Sequence, residues 1–312
     1  MTDRARPTGG GGGEPLLLLP QGGLGNQLFQ VALARALAER FGRRLVVDPV
    51  LLGSRLRRLR GVTPRSLSPL LAQLLPEPQA TPWHRQARAR LAARLASRRS
   101  GGGPVWALTD AGLARAAAEG DPLERLGGIR LLRTHATHPA LYGPAFESAW
   151  RAIATALQPL AGPEPPALAA HVRRGDYLHP RAGFFPLPAE YYRRALARLG
   201  RLPGLAAGAG GGGEGARPAL HLFTDDPDWC RAHLGGIGWE LRVETGGPED
   251  DLARLASARA LILSNSSFSA VAAHLARLRD PSTPVVCPDR WLLREDGRLG
   301  DLRGPDWLVV EA

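Results

Sequence analysis

Pro15-Leu16-Leu17-Leu18-Leu19-Pro20, then Gln21-Gly22-Gly23-Leu24-Gly25-Asn26-Gln27, then Leu28 to Arg40, is the stretch on which the fold turns. Four leucines running into a proline and a glycine pair read as a short buried strand entering a turn. Beyond the turn, Leu28, Val31, Leu33, Ala34 and Leu37 recur at helical spacing, and Gly42 stands where such a helix would stop. Leu45-Val46-Val47-Asp48 reads as a second strand. Strand, glycine turn, helix and strand make a βαβ unit, which builds parallel sheets covered by helices. The expected class is α/β.

The same alternation returns in the second half. Ala167 to Val172, Leu220 to Thr224, Ala260 to Leu263, Val285-Val286-Cys287 and Asp306 to Val310 read as strands. Pro188 to Leu199, Glu249 to Ala258 and Ala270 to Leu278 read as helices. Gly162-Pro163-Glu164-Pro165-Pro166 is the best linker between the halves. At 312 residues the chain exceeds one ordinary domain of about 100–200 residues. The expected division is a disordered tail over 1–14, an N-terminal α/β domain over 15–165 and a C-terminal α/β domain over 166–312, with a flexible glycine-rich insertion near 208–215.

The formal charge is +11, and every one of the 40 basic side chains is arginine. A guanidinium is planar, permanently charged and binds phosphate or carboxylate in a fork. Such a balance suits nucleic acid, an anionic membrane or a nucleotide-sugar. Aromatic residues make up only 6% of the chain and no RNA-binding signature interleaves them with the arginines, so nucleic acid is not an expected partner. Between Ser54 and Gly103 the single acid is Glu77, and Trp83, Ala87, Leu91 and Leu95 recur every four residues among arginines. That segment reads first as a solvated helix packing one stripe on its own domain, and second as a peripheral contact with an anionic membrane. Cys230 and Cys287 lie in neither a CxxC nor a Cys/His cluster, which argues against a disulfide framework and structural zinc. No stretch approaches the roughly 20 apolar residues of a membrane span, and residues 1–20 lack the apolar run of an export signal. The expected location is the cytoplasm.

The strand ending at Val172 delivers His171, Arg173, Arg174, Gly175, Asp176 and Tyr177 to its carboxyl end, where open α/β sheets hold ligands. Two adjacent guanidiniums beside a glycine can approach a diphosphate closely, each charge-assisted bond contributing roughly 1.5–3 kcal/mol. The pair alone says little, because Arg57-Arg58, Arg98-Arg99 and Arg193-Arg194 also occur. Thr224-Asp225-Asp226 ends another strand in two carboxylates that could bind a base or ribose, bind a metal, or cap the turn at Pro227; metal is least favoured without a histidine partner nearby. Ser264-Asn265-Ser266-Ser267-Phe268-Ser269 sets hydroxyls and an amide between a strand and a helix, as a cap or as an anion site at the helix N-terminus. The turn at Gly23-Leu24-Gly25-Asn26-Gln27 has Leu28 where a dinucleotide fingerprint needs its third glycine. It offers instead backbone N–H groups and two amides to a hydroxyl-rich or anionic ligand.

In order, Gly22 to Gln30, His171 to Tyr177, Thr224 to Trp229 and Ser264 to Ser269 resemble the signature of the α-1,2-fucosyltransferases, glycosyltransferase family 11. Glu190-Tyr191-Tyr192, Glu249-Asp250-Asp251-Leu252, Pro288 with Trp291, and Asp306-Trp307-Leu308 are smaller matches, and the resemblance spans about Leu17 to Val310. It implies a GT-B-like architecture, two Rossmann-like α/β domains facing a cleft, with GDP-fucose as donor, inversion at the sugar carbon, and neither metal nor cofactor. By position it implies that Arg173 and Arg174 hold the diphosphate and stabilise its departure. His171 and Asp225 or Asp226 would place the nucleotide, and Asn265, Ser266, Ser267 and Phe268 would line the donor site, with the two serines at phosphate. Gly23, Gly25, Asn26 and Gln27 would form the facing, acceptor-side wall. The base for the acceptor hydroxyl stays open among Asp176, His179 and Asp226, with Asp176 placed first. The implied acceptor is a glycan, with a terminal galactose as the leading choice, and a lipid-linked acceptor fits the basic segment from Arg55 to Arg99. The chain departs from the family at Ala270-Val271-Ala272-Ala273-His274, where tryptophans and a glycine usually follow the serine motif. Neighbouring readings are another GDP-sugar or another linkage. A reading of a different class is a basic nucleic-acid or membrane-surface binder on a transferase-like scaffold.

Overall fold

The structure is a computed structural model that describes residues 15–52, 66–76, 107–179, 186–202, 219–236, 238–291 and 302–312. The tail over 1–14, the stripe from Trp83 to Leu95 and the glycine-rich stretch near 208–215 lie outside the described residues.

Two parallel sheets form. The first holds β1 (Leu16–Leu18), β2 (Leu45–Val47), β3 (Ala107–Leu108) and β4 (Leu131–Leu132) in the order β2-β1-β4-β3. Leu17 lies between Val46 and Leu131, so the leucine run is central, as its unbroken apolar character requires. Its helices are α1 (Leu24–Arg40), α2 (Asp110–Ala118), α3 (Pro122–Arg125) and α4 (Glu147–Leu157). The second sheet holds β5 (Ala169–Val172), β6 (Ala219–Thr224), β7 (Glu240–Glu244), β8 (Leu261–Ile262), β9 (Val285–Pro288) and β10 (Leu308–Val310). Their order is β10-β9-β8-β5-β6-β7, with helices α5 (Ala189–Leu199), α6 (Pro227–Leu234), α7 (Pro248–Ser257) and α8 (Ser267–Arg279) between them. The chain thus runs outward from β5 to β7, then returns to β5's other side for β8 to β10. That is the doubly wound order, and its switch point lies between β5 and β8. The protein is α/β with two parallel, Rossmann-like parts, the GT-B-like class implied by the sequence.

Helix α1 begins at Leu24, not at Leu28, so Gly25, Asn26 and Gln27 form its first turn rather than a loop before it. Close packing explains the shift. A methyl group on Gly25 would stand 2.4 Å from the backbone nitrogen of Phe268, so only glycine lets the start of α1 press against the start of α8. Helix α8 likewise starts at Ser267, three residues before the sequence reading, and it buries Ala270, Ala272, Ala273 and Ala276. Leu28, Phe29, Val31, Ala32, Leu33 and Leu37 are all buried, because α1 is covered on several sides. One hydrophobic core runs from Leu16 and Leu18 of the first sheet through α1, Trp150 of α4 and α8 to Leu261 and Val285 of the second. Trp150 meets Phe29 edge-on at 5.4 Å, and its indole N–H donates to the Leu141 carbonyl at 2.6 Å. Among the described residues no helix is long and apolar enough to cross a membrane.

Candidate functional site

The residues that follow β5 and β8 meet at the switch point of the second sheet, where a crevice opens because the chain departs in opposite directions. The Tyr177 hydroxyl donates to the Asn265 carbonyl at 3.2 Å and pins one loop to the other. His171, nearly fully buried, sets its Nδ1 at 3.2 Å from the Ser264 hydroxyl, with its ring centre 5.1 Å from that of Phe268. Burial, aided by the Arg173 charge, holds the His171 pKa down at about 3, so the imidazole is neutral near pH 7 and serves by shape and hydrogen bonding.

Three carboxylates hold the two guanidiniums. Arg173 reaches Asp225 at 2.8 Å and Asp176 at 2.5 Å, with its guanidinium carbon 5.6 Å from the Tyr177 ring centre. Arg174 sets Nε 3.1 Å from Asp226 and lies over the Trp229 indole at 4.0 Å, while its backbone N–H donates to Asp225 at 2.8 Å. Asp225 fits beneath this loop because residue 175 is glycine; a methyl group there would stand 2.5 Å from its carboxylate oxygen. Asp226 also caps α6 by accepting the Trp229 backbone N–H at 3.1 Å, the capping role read from the sequence as one of its alternatives. The Nη1 and Nη2 atoms of Arg174 have no protein partner among the described residues, although the group is fixed on its other sides.

At the other wall, Ser266 caps α8 by accepting the Phe268 backbone N–H at 3.3 Å, and the Ser269 hydroxyl donates to the Ser264 and Ser266 carbonyls. Ser267 and Phe268 stay partly exposed on the first turn, where backbone N–H groups and the helix dipole favour an anion. Asn265 is buried, and its amide donates to the Trp291 carbonyl at 3.1 Å, so it braces the loop from behind. Gly25 touches this same turn from α1, whose N-cap is Gly23 and whose first turn includes Asn26. Gln27 faces inward: its amide donates to the Gly22 and Ser66 carbonyls and its oxygen accepts from the Ser68 backbone. Ser68 in turn donates to Glu249 at 2.6 Å, tying the first part to the start of α7. Asp176 is exposed beside Arg173, and His179 is exposed at the end of the same loop.

The structure therefore brings together His171, Arg173, Arg174, Asp225, Asp226, Ser266, Ser267 and Phe268, with Gly25 opposite. Two further contributors, Trp229 under Arg174 and Tyr177 across to Asn265, carry no role that spacing could reveal. Their signal in the sequence is only that each is an aromatic residue within three or four positions of a charged strand end.

No family model matches the chain, and no curated protein matches it. Among solved structures, the chain is similar to E. coli heptosyltransferase WaaC with ADP, at 12% identity over 96% of this chain and 93% of that one, with a TM-score of 0.47. It is also similar to NodZ alpha-1,6-fucosyltransferase soaked with GDP-fucose, at 16% identity over 84% and 93%, TM-score 0.44. A third is the glycosyl transferase family 9 protein from Veillonella parvula, at 11% identity over 96% and 87%, TM-score 0.42. At such identities and scores these likenesses say nothing of substrate.

Proposed function

We propose that this chain is a family 11 type glycosyltransferase that moves L-fucose from GDP-fucose to a sugar hydroxyl, with inversion and without a metal ion or cofactor. Its acceptor is a galactoside of a surface glycan and the linkage is α-1,2, as the resemblance of the four motifs implies. The observation that carries the reading is Arg174: at the carboxyl end of β5 it is stacked on Trp229 and held by Asp226 through Nε, while its two terminal nitrogens have no protein partner among the described residues. A guanidinium immobilised in that way is prepared for an anion and loses little freedom on binding one.

In the reaction the acceptor oxygen attacks the anomeric carbon, the bond from that carbon to the β-phosphate oxygen breaks, and GDP leaves with the electron pair. Negative charge grows on the diphosphate, and Arg174, Arg173 and the N-terminus of α8 stabilise it where water is scarce. Arg173 is able to contribute because its bond to Asp176 is an exposed pair worth about 0–1 kcal/mol, which a diphosphate can displace. Asp225 keeps Arg173 in place meanwhile.

The test is GDP release from GDP-fucose in the presence of lactose. Arg173→Ala and Arg174→Ala should each reduce it by on the order of 10²-fold or more, as removal of a charge-stabilising group does, with circular dichroism unchanged. Wild-type turnover in both variants defeats the assignment. A melting-point screen with GDP-fucose, GDP-mannose, UDP-galactose and ADP identifies the donor, since only a ligand of the native state raises the transition. Stabilisation by ADP but not by any guanosine nucleotide would overturn the choice of GDP.

A further inference from the structure

The first sheet has its own switch point. The chain leaves β1 through α1 toward β2 on one side, whereas β4 and β3 lie on the other, so the carboxyl ends of β1 and β4 flank a second switch point, the place where open α/β sheets hold ligands. β1 leads there into the Gly22–Gly25 segment, whose Gly25 touches Ser267 and Phe268 of the donor wall. β4 leads into Thr134 and His135 at the same edge, and β3 leads into Asp110 at the first position of α2. The His135 ring nitrogen Nδ1 stands 3.1 Å from Asp110 Oδ2, and the His135 backbone N–H donates to Asp110 Oδ1 at 2.8 Å. The Thr134 hydroxyl also donates to Asp110 and accepts the Ala136 backbone N–H at 2.8 Å. Ala136 is fully buried with φ 55, a left-handed conformation that alanine rarely takes and that the surrounding bonds must enforce. Among the described residues only Nδ1 of the ring has a partner. With Nδ1–H directed at a carboxylate, the neutral tautomer leaves Nε2 as a lone-pair acceptor, and the side chain remains about a third exposed, at 34%.

The carboxylates at the donor wall are placed differently. Asp226 is committed through both oxygens, Oδ2 to Arg174 and Oδ1 to the Trp229 backbone N–H, and Asp176 faces the Arg173 guanidinium as an ion pair. We infer that His135, oriented by Asp110, is the base that activates the acceptor. This rests on the transferase reading given above. The acceptor O–H proton passes to His135 Nε2 as that oxygen forms its bond to the anomeric carbon; the bond to the β-phosphate breaks, and GDP carries off the electron pair. The imidazolium formed is stabilised by the Asp110 carboxylate and returns its proton to solvent. Asp110 touches no substrate and is a positioning residue. The loop strained at Ala136 is what holds the ring against Asp110 beyond the carboxyl end of β4.

The experiment uses the full chain with GDP-fucose and lactose, reading GDP release, in which water takes the acceptor's place if lactose does not. His135→Gly should lower kcat by on the order of 10²-fold or more, while calorimetric affinity for GDP stays within twofold of wild type. Added imidazole should restore turnover in a saturable manner. His135→Asn, which keeps a side chain of similar reach, should show the same kcat loss without rescue. Asp110→Asn should lower kcat with the KM for GDP-fucose unchanged. If His135→Gly or His135→Asn turns over at wild-type rate, the inference fails and the donor assignment stands. A slowed His135→Gly enzyme that imidazole does not revive gives His135 a structural role and also overturns it. If the wild type neither binds GDP nor releases it, the transferase reading itself fails.

Discussion

Arg174 is fixed from three directions before any ligand arrives: Nε to Asp226, its face on Trp229, and its backbone N–H to Asp225. A lysine at that position would keep the charge but has no planar guanidinium to lie on the Trp229 indole while bonding Asp226 and presenting a two-nitrogen fork to a phosphate. Arg174→Lys is therefore expected to weaken GDP binding about tenfold, or roughly 1.4 kcal/mol, by isothermal calorimetry, and equal affinity would mean that charge alone matters there. This arginine pair was legible in the sequence because it ends an apolar strand, which sets it apart from Arg57-Arg58 or Arg193-Arg194. The stack on Trp229 was not, since it depends on how α6 leaves β6, a matter decided by Asp226 capping that helix. The pairing of Asp110 with His135 was equally hidden, because 25 positions separate residues that only adjacency of β3 and β4 brings together.

At the scale of elements, two helices meet by their starts. The first turns of α1 and α8 touch at Gly25, Ser267 and Phe268, so the positive ends of two dipoles lie near one another. The diphosphate of the proposed donor, bound beside these helix starts, would relieve that repulsion. Gly25→Ala would drive a methyl group to 2.4 Å from the Phe268 nitrogen, and neither backbone can give way cheaply. Its expected cost is about 1–3 kcal/mol of stability, read from the urea midpoint, together with weaker GDP binding because the start of α8 is displaced; a midpoint equal to wild type would show that the helices part freely. Strands such as Leu16–Leu18 and Val285–Pro288 were readable from unbroken apolar runs. The helix starts were not. Gly25, Asn26 and Gln27 carry loop-type composition, and they become helical only because Gln27 is bonded to the Gly22, Ser66 and Ser68 backbones and Gly25 is pressed on α8.

For the whole molecule, the continuous core carries an acid sensitivity. His171 lies beside Ser264 and Phe268, and His274 of α8 is stacked on Tyr142 at 4.5 Å and set edge-on to Trp150 at 4.9 Å, inside the packing that joins the two sheets. Burial holds the pKa of His171 at about 3 and that of His274 at about 4, against 6.5 for the unperturbed side chain. Both folded-state values lie below the unfolded one, so between them the unfolded chain binds more protons and acid favours unfolding. Their contribution is whole above about pH 6.5 and is lost as pH falls, His274 down to about 4 and His171 down to about 3, each at up to roughly 1.4 kcal/mol per pH unit. Asp251, whose pKa burial raises, acts in the opposite sense over the lower part of that range and offsets some of the loss. Urea unfolding followed at pH 7, 5.5 and 4.5 should therefore give a midpoint that is highest at pH 7 and declines at each step, and His274→Gln should flatten the decline. Because α1, α4 and α8 belong to one core, tryptophan fluorescence and circular dichroism of the helices should report the same transition at every pH. A midpoint indifferent to acid, or a slope that His274→Gln leaves untouched, would mean that these imidazoles are hydrated rather than sealed between the sheets.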